Sequence, residues 1–198
     1  MDNNEEQKQR IENYCATHTD MLSVLRDMWG DTRVQFYDDS APPEDSPPSI
    51  FFNGPTSRSQ ILEYMWRPQA VRYLRELGYT GWIFVPEFRG VAPESGDFTE
   101  KDYIHEWESA RRAHANVNLY WIPRNAHELL GLNTNLELGM SIGQELMRIP
   151  EERGKRIVVG WPDDALRMGL PAHYLKSVGT TPVHDLRELC RRAVELTS

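Results

Sequence analysis

From Ser49 onward the chain alternates short apolar runs with amphipathic stretches, and this alternation constrains the fold more than any other feature. The apolar runs are SIFFNG at 49–54, WIFVPE at 82–87, VNLYWIP at 117–123 and RIVVGWP at 156–162. Each is short and rich in β-branched and aromatic residues, so each reads as a strand, and TTPV at 180–183 reads as a short fifth. Helical spacing fills the gaps. A helix is expected within 57–77, where WRPQAVRYLRELG has Pro68 near its start and Gly78 at its end. Others are expected over 100–114, over 131–148 and around 163–177, and HDLRELCRRAVELT closes the chain as a helix. Apolar strands separated by helices predict a parallel sheet covered on both faces, a three-layer α/β/α fold of about five strands.

Residues 4–29 read as one more helix, with Ile11, Tyr14, Cys15, His18, Leu22, Leu25 and Trp29 on one face and Gly30 as its stop. The prolines and acids of DDSAPPEDSPP, 38–48, mark a linker. The expected organisation is therefore a helical extension over 1–37, a linker over 38–48 and an α/β domain over 49–198. The extension is expected to dock outside the core. Its apolar stripe would be costly to leave in water, which predicts a homo-oligomer.

Charge and composition narrow the partners. With 39% hydrophobic and 26% charged residues in 198, the chain can bury a core. A net charge of −8 argues against a nucleic-acid partner, which needs a basic surface. No apolar run approaches the roughly 18 residues of a membrane span. The polar start MDNNEEQKQR has no character of a targeting signal. Two distant cysteines, Cys15 and Cys190, fit free thiols in a reducing compartment, and a cytoplasmic protein is expected. The scattered histidines form no ligand spacing, so no metal is expected. There is neither a GxGxxG fingerprint nor a Walker loop, so no dinucleotide cofactor is expected either.

In open parallel sheets, ligands bind beyond the carboxyl ends of the strands. Here those ends are NGPTSR, PEFRG, IPRNAH and WPDD. The helix that follows the third of them, GLNTNLELGMSIGQELM at 131–147, carries Glu137 close to its start. On a helical wheel Leu136, Leu138, Met140, Ile142, Leu146 and Met147 form an apolar arc. Gly139 and Gly143 lie near its middle, where they are expected to let the helix approach the sheet. Two readings of Glu137 are open. In one, Thr134 and Glu137 form a capping box at the helix start. In the other, an ionised carboxylate beside the crevice attacks an anomeric carbon.

The ordered run IFFNGPTS, WR in a helix, VPE, EWESA, NVNLYWIPR and NTNLELG resembles the nucleoside 2-deoxyribosyltransferase-like family over roughly residues 49–162. TNLELG is similar to that family's short (T/G)-x-x-E-(L/F)-G signature, which carries a nucleophilic glutamate. The resemblance implies a flavodoxin-like, oligomeric enzyme that cleaves the N-glycosidic bond of deoxynucleosides without metal or organic cofactor. Its ligands would be a nucleoside or nucleotide and a free nucleobase. Glu137 is the implied nucleophile. Glu108, in HEWESARR, matches an acidic residue that meets the base and is the implied proton donor; the other reading pairs it with Arg111 and Arg112 on an exposed helix face.

Asn53, Gly54, Pro55 and Thr56, with Ser57 and Ser59 as further donors, are placed by the resemblance at the sugar; they also fit an ordinary strand-to-helix turn. Glu87 at the end of VPE joins them as an implied substrate contact. Trp107 either stacks on a base or belongs to the core. The tyrosine that family members often place in the first strand to orient the nucleophile is replaced by Phe51. The acid expected before the nucleophile is absent near Gly131 and Asn133, and the Asn135 amide stands as its substitute. These departures keep three functions open: deoxyribosyl transfer, hydrolysis of a nucleotide with Arg58 or Arg67 on its 5′-phosphate, and a non-catalytic nucleotide-sensing module.

Overall fold

A computed structural model describes residues 19–37, 39, 48–56, 65–87, 98–127 and 129–197, with 19–22 and 98–102 by backbone alone. In chain order these form α1 (Thr19–Gly30), β1 (Val34–Gln35), β2 (Ser49–Asn53), α2 (Trp66–Glu76), β3 (Trp82–Phe84) and α3 (Phe98–His114). β4 (Val117–Trp121), α4 (Leu132–Leu146), β5 (Ile157–Gly160), α5 (Gly169–Leu175) and α6 (Leu186–Leu196) follow. All five strands are parallel, in the order β1-β3-β2-β4-β5. The expected TTPV strand is reduced to one bridge between Val183 and Gly160. With that bridge counted, β2 onward follows the flavodoxin-like order, and β1 is an addition at the edge. The expected helix around 163–177 is shorter, confined to α5 and a 3-10 turn over Lys176–Val178.

The two sheet faces follow from strand alternation. Ile50, Phe52, Val117, Leu119, Trp121 and Val158 point to one side, where Leu74 of α2 and Leu189 and Ala193 of α6 cover them. Phe51, Tyr120, Ile157 and Val159 point to the other side, under Trp107 of α3, Leu138 and Ile142 of α4, and Leu175 of α5. Among the described residues no helix is long and apolar enough to cross a membrane.

Two expectations change here. The N-terminal segment is built into the domain rather than docked outside it. Val34 and Gln35 pair in register with Ile83 and Phe84, so β1 caps the edge of the sheet. Leu25 and Met28 of α1 are buried in the same core as α2, and Arg72 and Arg75 of α2 pair with Asp27 and Asp31 at 2.9 and 2.6 Å. Of the expected apolar stripe, Leu25 and the partly buried Trp29 are therefore covered by the chain itself; Leu22 is described by backbone alone, and Ile11, Tyr14, Cys15 and His18 lie outside the described residues.

The second change concerns α4, which is rotated relative to its expected arc: of that arc Leu138 and Ile142 stay inward. Its inward face is half polar, with Thr134, Ser141 and Glu145 buried beside Leu138 and Ile142. Leu136, Met140 and Met147 face outward, with Met147 88% exposed. Gly139 and Gly143 also face open space, since a Cβ at either would meet nothing within 4 Å. They bring the helix no closer to the sheet; instead they line a cleft of about 880 Å³ between α4 and α5.

Candidate active site

The sheet order reverses at β2, with β3 laid down on one side and β4 on the other. The chain leaves β2 toward α2 on one face and leaves β4 toward α4 on the opposite face. A cleft of about 350 Å³ opens between these departures, as a topological switch point favours. Phe51 through Thr56 line it from β2, and Leu130 through Thr134 from the approach to α4. Tyr37, Arg67, Glu108, Arg112 and Glu137 supply its polar groups, with His105 also on the lining.

Gly54 makes this shape possible. Its φ of 151° lies where side-chain-bearing residues rarely go, and a Cβ would sit 2.2 Å from the Trp121 carbonyl oxygen. The turn after β2 can therefore press against β4 only without a side chain there.

Glu137 does not close a capping box. Gly131, in the left-handed conformation at φ 61°, is the residue before the helix, and no side chain caps it. Thr134 is thus inside the first turn and buried, and Glu137 falls in the second turn. Its carboxylate accepts a hydrogen bond from the Arg112 guanidinium at 2.7 Å. The same guanidinium donates through Nε to Asn53 Oδ1 at 2.9 Å and lies over the Phe51 ring, 5.4 Å from its centroid. Asn118 Nδ2 donates in turn to the Arg112 carbonyl at 3.2 Å. Beneath Glu137, the Tyr120 hydroxyl donates to the Glu137 carbonyl at 3.1 Å and shares a 2.7 Å bond with Ser141. Burial pushes the Glu137 carboxyl above its ordinary value, and the charge of Arg112 pulls the other way.

Glu108 faces the cleft from α3, where the Tyr37 hydroxyl bonds its Oε1. Burial, reinforced by the Glu108 charge, holds Tyr37 far above the usual phenol range. Tyr37 therefore keeps its proton and is the donor in this bond. Arg112 comes within 4.0 Å of Glu108 Oε2, a charge contact too long for a hydrogen bond. The i+4 pairing with Arg112 open from the sequence is thus present, but inside the cleft rather than on an exposed face, and a tyrosine contact joins it. Both carboxylates approach one guanidinium nitrogen, so they are near neighbours.

Several expected site residues fall elsewhere. Trp107 is core: 7% exposed, it packs edge-on to Tyr37 at 5.1 Å and against Phe51 and Phe84. Asn135 points to the opposite side of α4, where it accepts from Arg124 and borders the larger cleft. It replaces no acid near Glu137. Glu87 is not on the lining; it pairs with Arg67 at 2.5 Å. Arg67 does reach the cleft, but its terminal nitrogens donate to Glu87, Thr56 and the Gly54 carbonyl, so it braces the turn. Arg58, Ser57 and Ser59 lie outside the described residues.

The two residues that hold the carboxylates, Arg112 and Tyr37, were missed in the sequence, as was His105 on the lining. Arg112 was visible only as the i+4 partner of Glu108, and nothing in helical spacing shows a side chain reaching a different helix. Tyr37 sat in a segment assigned outside the domain, and the strand that carries it in is only Val34–Gln35. Among the described residues no group of His, Cys, Asp and Glu side chains is arranged to hold a metal ion. The chain matches no known family model and no characterised protein.

Proposed function

We propose that this chain cleaves the N-glycosidic bond of nucleosides, deoxynucleosides foremost, through a covalent glycosyl–Glu137 intermediate, as nucleoside 2-deoxyribosyltransferase-like enzymes do. The observation that carries the reading is the pair of carboxylates in one switch-point cleft, Glu137 bound to a cation and Glu108 to a neutral hydroxyl. Different partners suit such a pair to different roles. A Glu137 oxygen attacks C1′ as the C1′–N bond breaks, and the bond's electron pair leaves with the base. The base takes a proton, handed on by Glu108 at the cleft wall. A second base or water then attacks C1′, gives its proton up to Glu108 and releases the Glu137 carboxylate. No metal or organic cofactor enters the scheme.

A second reading, hydrolysis of a nucleoside 5′-monophosphate, is favoured by one observation. α4 begins on the cleft at Gly131 without a side-chain cap, and uncapped first-turn amides attract an anion. Arg67, engaged with Glu87 and the Gly54 turn, is not the phosphate ligand of this reading. The test is free-base release from a panel of nucleosides and their 5′-monophosphates, with and without an acceptor base. Exchange requiring the acceptor supports transfer; release from monophosphates alone supports the second reading. Nucleotide binding with no base release from any of them overturns both and leaves a sensing module.

A further inference from the structure

Phe51 of β2 lines the cleft with Glu137 and has no polar group to offer its carboxylate. The cleft supplies one from α3. Arg112 is fixed before it reaches Glu137. Its Nε bonds Asn53 at the end of β2, its backbone carbonyl accepts from Asn118 of β4, and its guanidinium rests on the Phe51 ring. The side chain is 11% exposed, so water does little to loosen it. The plain Phe51 ring offers the guanidinium a face.

We infer that Arg112 is the positioning residue of Glu137, binding one carboxylate oxygen with its fork and leaving the other directed into the cleft. Its effect on rate rests on the glycosyl-transfer reading; its hold on the carboxylate does not. The charges that face Glu137 are Arg112 and Glu108 from α3 and Arg67 from α2. Of these Arg112 has the largest influence, and it opposes the burial that favours the protonated form. The hydroxyls of Tyr37 and Tyr120 stay protonated, held up by burial, and add no charge. Arg112 therefore has two effects: it aims the carboxylate and extends the pH range in which it is ionised.

The test compares the parent with Arg112→Met, Arg112→Gln and Arg112→Lys, each confirmed folded by circular dichroism. In base release, Arg112→Met is expected to lose about 100-fold in kcat with KM changed little, as for a misaimed reactive group. The acid limb of its pH profile should move to higher pH, because the favourable charge is gone. Arg112→Lys should restore the position of that limb but not kcat, since an ammonium lacks the fork that spans Asn53 and Glu137. Independently of activity, the 13C signal of the Glu137 carboxyl is followed through a pH titration. It should titrate at higher pH in Arg112→Met, or in Arg112→Gln if the methionine variant does not fold, than in the parent. An unmoved titration, or kcat and acid limb equal to the parent's, overturns the inference. If the parent releases no base, the proposed function falls, and the carboxyl titration still decides whether Arg112 holds Glu137.

Discussion

At the scale of single residues, the cleft spends stability on a charge. Burial raises the Glu137 carboxyl above its ordinary 4.5, so the folded state binds that proton more tightly than the unfolded chain. The contribution of this group to stability is complete below the unfolded value and is lost as pH rises through the folded one. Glu137→Gln imitates the neutral form. It should melt at or above the parent at pH 7, with the difference fading as pH falls below the ordinary carboxyl range, in paired calorimetric scans. The same variant should lose base release by several orders of magnitude, and a 2-fluoro sugar should label Glu137 in the parent only. A variant that cleaves like the parent would end the nucleophile assignment. Tyr37→Phe keeps the ring against Trp107 and removes only the hydroxyl on Glu108. It should cost about 1–3 kcal/mol in denaturant unfolding and slow base release.

At the scale of elements, the turn after β2 gives the most direct test of shape. Gly54→Ala sets a methyl against the Trp121 carbonyl and 2.9 Å from the Trp66 ring, at a φ that an alanine resists. The expected cost is of order 2–4 kcal/mol by urea unfolding, with ligand binding lost along with the turn. β2, β4 and β5 were legible in the sequence because a strand buried on both faces reads as a short, mostly apolar run. β1 was not: two residues at an edge carry no periodicity, and the pairing with Ile83 and Phe84 is a fact of three dimensions. α4 was legible as a helix but not in orientation. A wheel assigns the apolar arc to the core by default, whereas Thr134, Ser141 and Glu145 face inward here and Leu136 and Met140 outward. Glu137 was found through its motif, and Arg112 was missed because its partners lie on β2 and α4 rather than on its own helix.

At the scale of the whole molecule, the exposed face of α4 and its neighbour α5 is the apolar surface on which an oligomer contact is now expected. On the outward face of α4 Leu136 and Met140 stand more than half exposed, as do Leu170 and Tyr174 on the lining of the groove that Gly139 and Gly143 leave open. A second copy placing the same helix there would bury both faces at once, as two-fold dimers do. Light scattering at about 50 µM should find a dimer, and Leu136→Asp with Met140→Asp should give a folded monomer; a monomeric parent would remove this expectation. Deleting residues 1–37 should leave an insoluble or unfolded remainder rather than a working domain, since β3 would lose its edge partner and α2 its cover. The same edge strand sets a timetable during synthesis. Val34 and Gln35 leave the ribosome well before Ile83 and Phe84, the residues they pair with, and α1 precedes the helix it rests on. The earliest part of the chain must wait unpaired while β2, α2 and β3 are made. The cleft closes later still, for Tyr37 belongs to that waiting segment and Glu137 to a helix translated after β4. A nascent chain halted at His114 would hold most of the sheet's first edge and one wall of the cleft, with no carboxylate yet opposite it.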